Sequence, residues 1–171
     1  MKKMVLLFLA GLLAGTAHAQ GYFSLAYALT ASPGTISDKS NLSFEYGKQW
    51  DVFSVGIDLG KTSLSHVIHR DTTAYVELRP NLNVFQQGRF TNTLTTGIGY
   101  VFHAKENLLM EFTTGIEFAY SGKLHFNMFF GQYFYSGRYS ASNVNFLGVS
   151  AAYYFKPTLT GSVFKKNANK E

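Results

Sequence analysis

The densest cluster of reactive side chains in this chain is Ser63-Leu-Ser-His-Val-Ile-His-Arg-Asp71, which brings Ser65, His66, His69 and Asp71 within seven positions. Two chemistries are open to that set. His66 and His69 with Asp71 are the donor types of a transition-metal site, and Ser65, His66 and Asp71 are the types of a nucleophile, its base and an orienting carboxylate. Either needs a frame, because such constellations act through fixed distances and angles. The remaining charged candidates, Glu45, Asp58, Glu77, Arg79, Glu111 and Glu117, are scattered singly among apolar and small neighbours. What any of these groups can do depends on the elements that carry them.

Those elements read as strands. In Met110-Glu-Phe-Thr-Thr-Gly-Ile-Glu-Phe-Ala-Tyr120, one face collects Met110, Phe112, Thr114, Ile116, Phe118 and Tyr120, and the other Glu111, Thr113, Gly115, Glu117 and Ala119, the two-residue period of an extended chain. The same beat recurs eight times and predicts strands over about 21–31, 40–48, 51–61, 73–84, 91–103, 108–120, 124–134 and 143–155. One face of each is apolar, as in Phe23, Leu25, Tyr27 and Leu29; the other carries Gly, Ser, Thr, Asn and the six charged candidates. Eight strands joined in sequence predict an all-β fold, an eight-stranded antiparallel up-and-down transmembrane β-barrel. Aromatics on both faces at Phe129-Phe130 and Tyr133-Phe134-Tyr135 suggest a bulge near Gly131.

Three organisational segments are expected. Residues 1–19 combine Lys2 and Lys3, an apolar run from Met4 to Gly15 and Ala17-His18-Ala19, the pattern of a cleaved secretory signal peptide. The apolar run is shorter than the roughly 20 residues a spanning helix needs. Residues 20–155 form the barrel domain, and residues 156–171 a basic periplasmic tail. There is no cysteine, so neither a disulfide framework nor a lipid-anchored cysteine is available. Of the formal charge of +5, Lys2 and Lys3 leave with the signal and the tail carries a surplus of three, so residues 20–155 are balanced. Nucleic-acid partners are therefore not expected, since they would require a basic stripe within the fold.

Alternation alone does not say which face meets solvent. A water-facing surface is about 25–35% charged, whereas the whole chain is 15% charged and its polar face is mostly small and neutral. Trp50, Phe53, Phe85, Phe90, Tyr120, Tyr153 and Phe155 fall near one set of strand ends, as an interfacial girdle would. Connections alternate between longer (32–39, 61–72, 135–142) and short (47–50, 85–89, 121–123), with 103–107 shorter than that alternation prefers. The apolar face is accordingly expected to meet lipid and the carboxylates to point inward. Five inward acids, Glu45, Asp58, Glu77, Glu111 and Glu117, then face Arg79 as the one inward base, so the others must be protonated, solvated or reached from the rim by Arg89 or Lys48. Inward glycines are expected to lie beneath Tyr75, Phe129, Tyr133 and Tyr154 as barrel fillers.

From Gly21 to Phe155 the chain resembles the small OmpA/OmpX-type outer-membrane barrels of Gram-negative bacteria, through its signal, eight strands, turn asymmetry and the terminal Tyr153-Tyr154-Phe155. The resemblance implies residence in the outer membrane as a monomer, with outer-membrane lipid and the insertion machinery as partners. Unlike the usual barrel of that family, the chain continues past the terminal aromatic. Barrels of similar size include lipid A palmitoyltransferases and deacylases. Against that alternative, His125-Phe126-Asn127 looks like a degraded His-x-Ser, with Asn127 in place of the hydroxyl and no carboxylate on the next strand. The expectation is a structural or surface-interacting barrel with a filled interior, no catalytic residues, no metal and no cofactor. A polar surface loop is expected at Ser65, His66, His69 and Asp71; a narrow channel or a small-ligand barrel is a further alternative.

Overall fold

The computed structural model describes residues 19–32, 35–62, 73–103, 107–137, 141–156 and 164–165. Its strands are β1 (Gln20–Ser32), β2 (Thr35–Trp50), β3 (Phe53–Thr62), β4 (Thr73–Gln87), β5 (Phe90–Val101), β6 (Leu108–Ala119), β7 (Leu124–Ser136), β8 (Ala141–Tyr154) and a short β9 (Phe164–Lys165). From β1 to β8, every strand pairs antiparallel with its sequence neighbours, and β8 returns to β1 over Tyr22↔Tyr154 to Ala31↔Asn145, so the wall closes as an eight-stranded barrel. Closure matters physically, because in hydrocarbon each backbone N–H and C=O must find its partner within the wall.

Side-chain burial gives the wall its orientation. Phe112 on β6 is 54% exposed while Glu111 beside it is 4% exposed, and Leu78 on β4 is 47% exposed while Glu77 is 1% exposed. Apolar residues face outward and polar ones inward, the reverse of a water-soluble barrel and the arrangement that suits lipid. Among the polar side chains that share the outer face, Gln132 and Asn145 answer each other: Gln132 Nε2 donates to Asn145 Oδ1 at 3.1 Å. The aromatic girdle forms at the rim where the turns lie. Phe23, Tyr153 and Phe155 cluster with centroids 5.6–6.4 Å apart, Trp50 stacks on Phe53 at 6.4 Å, and Phe90 packs on Phe118 at 5.1 Å.

Strand ends depart from the sequence expectation. β2 begins at Thr35 and runs to Trp50, so the long first connection shrinks and the turn expected at 47–50 lies instead at Asp51 and Val52. Asp51 takes φ 43°, a left-handed conformation that Asp tolerates better than most residues. Gly47 belongs to the strand, where a Cβ would lie 2.6 Å from the Tyr22 ring. β7 and β8 likewise extend to Ser136 and from Ala141, shortening the connection expected at 135–142. No bulge occurs at Gly131: the β6–β7 register runs unbroken from Leu108↔Ser136 to Ala119↔His125. Irregularities fall between Leu29 and Ala31 and between Asn83 and Phe85.

The interior is divided in two. In the half away from the turns, Tyr75, Val101, Leu109, Tyr133, Tyr135 and Phe146 form an apolar cluster with Ala26, Ala28 and Phe129. Tyr133 and Phe146 stack with centroids 4.0 Å apart and planes at 21°. Aromatics on both faces of β7 are thus explained without a bulge, because one face fills the barrel and the other meets lipid.

Candidate functional site

Below the aromatic cluster lies a layer of charge. Glu45, Asp58 and Glu77 are direct cross-strand partners on β2, β3 and β4, all on the inner face. Like charges opposite one another are destabilising, so this row calls for a cation. Arg79 supplies it from the next inward position of β4: one guanidinium nitrogen reaches Glu45 at 2.7 Å and another reaches Glu111 at 2.8 Å. Neutral donors add to the layer. Tyr22 donates its hydroxyl to Glu45, Tyr75 to Asp58 at 2.6 Å, and Thr113 to Glu111 at 2.5 Å. The close approach of Glu77 to the β5 wall requires Gly97, where a Cβ would meet the Glu77 carboxyl carbon at 2.7 Å and Glu111 Cβ at 3.1 Å.

The layer is incompletely satisfied by protein groups. Both oxygens of Glu77, Asp58 Oδ1, Glu111 Oε2 and Arg79 Nε are buried without a hydrogen-bond partner among the described residues. On the turn side of Arg79 lies a polar cavity of about 70 Å³, bordered by Glu45, Arg79, Asn81, Glu117, His125 and Asn127. A buried water needs roughly 10–15 Å³ of such space. The cavity therefore suits a few waters, not a drug-sized ligand, whose pockets span about 300–1,000 Å³.

Of the six sequence-predicted interior residues, Glu45, Asp58, Glu77, Arg79 and Glu111 are brought together in this one layer. Glu117 stands apart. Its carboxylate lies 2.7 Å from His125 Nδ1, and His125 is 1% exposed. The carboxylate partner of His125 thus lies on the strand before it, not the strand after. The signal for this pair was present in the tight connection between β6 and β7, which sets Ala119↔His125 and Glu117↔Asn127 and leaves Glu117 and His125 diagonal neighbours. The rim cations do not fill the role expected of them: Arg89 is exposed at a turn and Lys48 points to the outer face, and neither has an ion pair among the described residues. The glycine expectation holds for Phe129 over Gly148; Tyr75 lies over Gly60, which the sequence did not single out, and Gly56 and Gly97 lie beneath the carboxylates of Glu45 and Glu77. Ser65, His66, His69 and Asp71 fall outside the described residues. Among the described residues, no group of three or more His, Asp or Glu side chains converges as a metal site would.

The fold of this closed wall is shared with solved structures. Neisserial surface protein A (NspA) superposes with a TM-score of 0.54 at 11% identity, over 81% of this chain and 97% of that one. The chain has the fold of a small outer-membrane β-barrel. Outer membrane protein H (OprH) from P. aeruginosa in DHPC micelles gives a TM-score of 0.55 at 11% identity, over 80% of this chain and 99% of that one. A de novo designed protein, TMB2.3, gives 0.53 at 13% identity, over 81% and 97%. That a designed chain matches as well as natural ones makes the likeness one of architecture. No family model matches the sequence, and no curated protein matches it. The barrel's exposed belt of Leu, Ile, Phe and Tyr has one fitting solvent, the hydrocarbon of a lipid bilayer.

Proposed function

We propose that the protein is a structural or surface-interacting barrel of the outer membrane, and not a conduit or an enzyme. The observation that carries this reading is the filled interior. Tyr133 stacked on Phe146, with Tyr75, Leu109 and Tyr135 around them, occupies the section a solute would have to cross. Eight strands leave a bore just wide enough for such side chains. In this reading residues 1–19 are the export signal, the short turns and the 156–171 tail face the periplasm, and the connections at the opposite rim face outward as the contact surface. Outer-membrane lipid and the insertion machinery are its partners, and it works as a monomer.

Planar-bilayer recording tests the reading directly. The purified protein is expected to insert without a stable large conductance, and a sustained open level would overturn it. Mass spectrometry of lipid A from cells with and without the gene tests the enzymatic alternative, where an acyl-chain difference would replace the structural role. A dependence on detergent, with a gel band that moves on boiling, is the expected behaviour of the closed barrel; a detergent-free soluble monomer would reject the membrane assignment.

A further inference from the structure

The β4 strand is longer than the partner on one of its sides. Its register with β3 starts at Phe53↔Leu82, and the last contact there is Asn83 N donating to Val52 O at 2.8 Å. Its register with β5 continues past that point, through Phe85↔Asn92, Gln86↔Thr91 and Gln87↔Phe90. At the turn-side rim, then, β4 overhangs β3, and its backbone donors and acceptors on that side lie beyond the reach of β3. Such an edge is a template for another strand. β9 lies against this overhang in parallel, with Phe85↔Phe164 and Gln86↔Lys165 in register.

The approach of β9 is not a consequence of sequence proximity. β8 and β4 are four strands apart in either direction round the closed wall. The chain leaving β8 is first fastened at β1, where Phe155 N donates to Gly21 O at 3.0 Å and Gln20 Nε2 donates to Lys156 O at 2.5 Å. Its next described residues, Phe164 and Lys165, are at β4.

We propose that the overhang of β4 at Phe85 and Gln86 is a strand-addition site, and that its occupant is the chain's own carboxy-terminal segment around Phe164 and Lys165. Main-chain pairing supplies the attraction. The tail is thereby fastened at two separated points of the rim, and the edge is withheld from strands of other molecules for as long as β9 holds it.

Residue-resolved hydrogen exchange on the full-length protein in lipid nanodiscs tests this. Successive amides along a strand point to opposite sides, so of Phe85 and Gln86 one amide faces β5 and the other faces β9. The double variant Phe164→Pro with Lys165→Pro removes both donors of β9 and leaves the barrel sequence untouched. The expected result is that the β9-facing amide exchanges at least about tenfold faster in the variant while the β5-facing one is unchanged. Faster exchange at both would support the site as well, with β9 also bracing the end of the β4–β5 hairpin. Equal exchange of the β9-facing amide in parent and variant would overturn the proposal. Protection that rises with protein density in the nanodisc would also overturn it, by assigning the edge to a second copy's tail. Adding a peptide of residues 157–171 to the variant should restore protection, and its failure to do so at any concentration would count against strand addition.

Discussion

Three substitutions on the two faces of one wall, Glu77→Gln, Glu111→Gln and Phe112→Arg, should differ in cost in a fixed order. Glu111 accepts from Arg79 at 2.8 Å and from Thr113 at 2.5 Å and is 4% exposed. Its replacement by Gln keeps the shape and weakens a hydrogen bond to a charged group, a loss of about 1.5–3 kcal/mol. From the sequence alone, that exchange would look nearly neutral, as no cation was assigned to Glu111; Arg79 reverses the expectation. Phe112 is 54% exposed to lipid, and a cation there costs about 2–4 kcal/mol near mid-depth. Glu77 is 1% exposed and neither of its oxygens has a partner among the described residues. Its exchange for Gln should be neutral or stabilising, because the amide brings donors into a site crowded with acceptors. Urea-driven unfolding and refolding in lipid vesicles, followed by the heat-shifted gel band and by the fluorescence of Trp50, the single tryptophan, gives all three values. Equal losses for Glu77→Gln and Glu111→Gln would refute the pairing scheme of the charge layer. A harmless Phe112→Arg would refute the orientation of the whole wall.

Arg79→Met should cost about 3–5 kcal/mol by stranding Glu45 and Glu111, and adding Glu45→Gln and Glu111→Gln should recover most of that in the same unfolding assay. Gly97→Val should impair refolding by about 1–3 kcal/mol, since its Cβ meets the Glu77 carboxyl; the double variant with Glu77→Ala should refold like the parent. Tyr133→Ala together with Phe146→Ala should destabilise the barrel and produce ion current in bilayer recordings where the parent gives none. His125→Ala should destabilise by about 1–3 kcal/mol through the abandoned Glu117, measured by the same urea midpoint.

Facing was legible in the sequence because a strand's period is two and lipid tolerates few mistakes, so each of the six charged candidates could be placed inward from its immediate neighbours. Strand length was less legible for a physical reason. Once a strand leaves the hydrocarbon, water removes the demand for alternating apolar residues, and β2 continues through Ser37-Asp-Lys-Ser-Asn41 with nothing in that composition to announce it. Gly47-Lys48-Gln49 has the look of a turn, yet Gly47 is needed inside the strand beneath Tyr22. In the site, the participants could be listed but not their partners. Which carboxylate Arg79 holds depends on the stagger between strands, and the pairing of Glu45 on β2 with Arg79 on β4 skips a strand altogether. β9 was hidden because two residues of backbone pairing leave no periodic mark.

Glu45 and Glu111 stand on β2 and β6, four strands apart and so on opposite walls, and Arg79 on β4 reaches both. The guanidinium acts as a spoke across the bore. An eight-stranded tube without cross-members can flatten toward an ellipse under the uneven lateral pressure of a bilayer, because bending a sheet about its strand axes disturbs few hydrogen bonds. Here flattening along one diameter compresses the Glu45–Arg79–Glu111 chain and flattening along the other stretches it, each against short charge-assisted bonds. The barrel should therefore hold a round cross-section as the membrane around it thickens, thins or curves, and present its rim connections at a constant spacing.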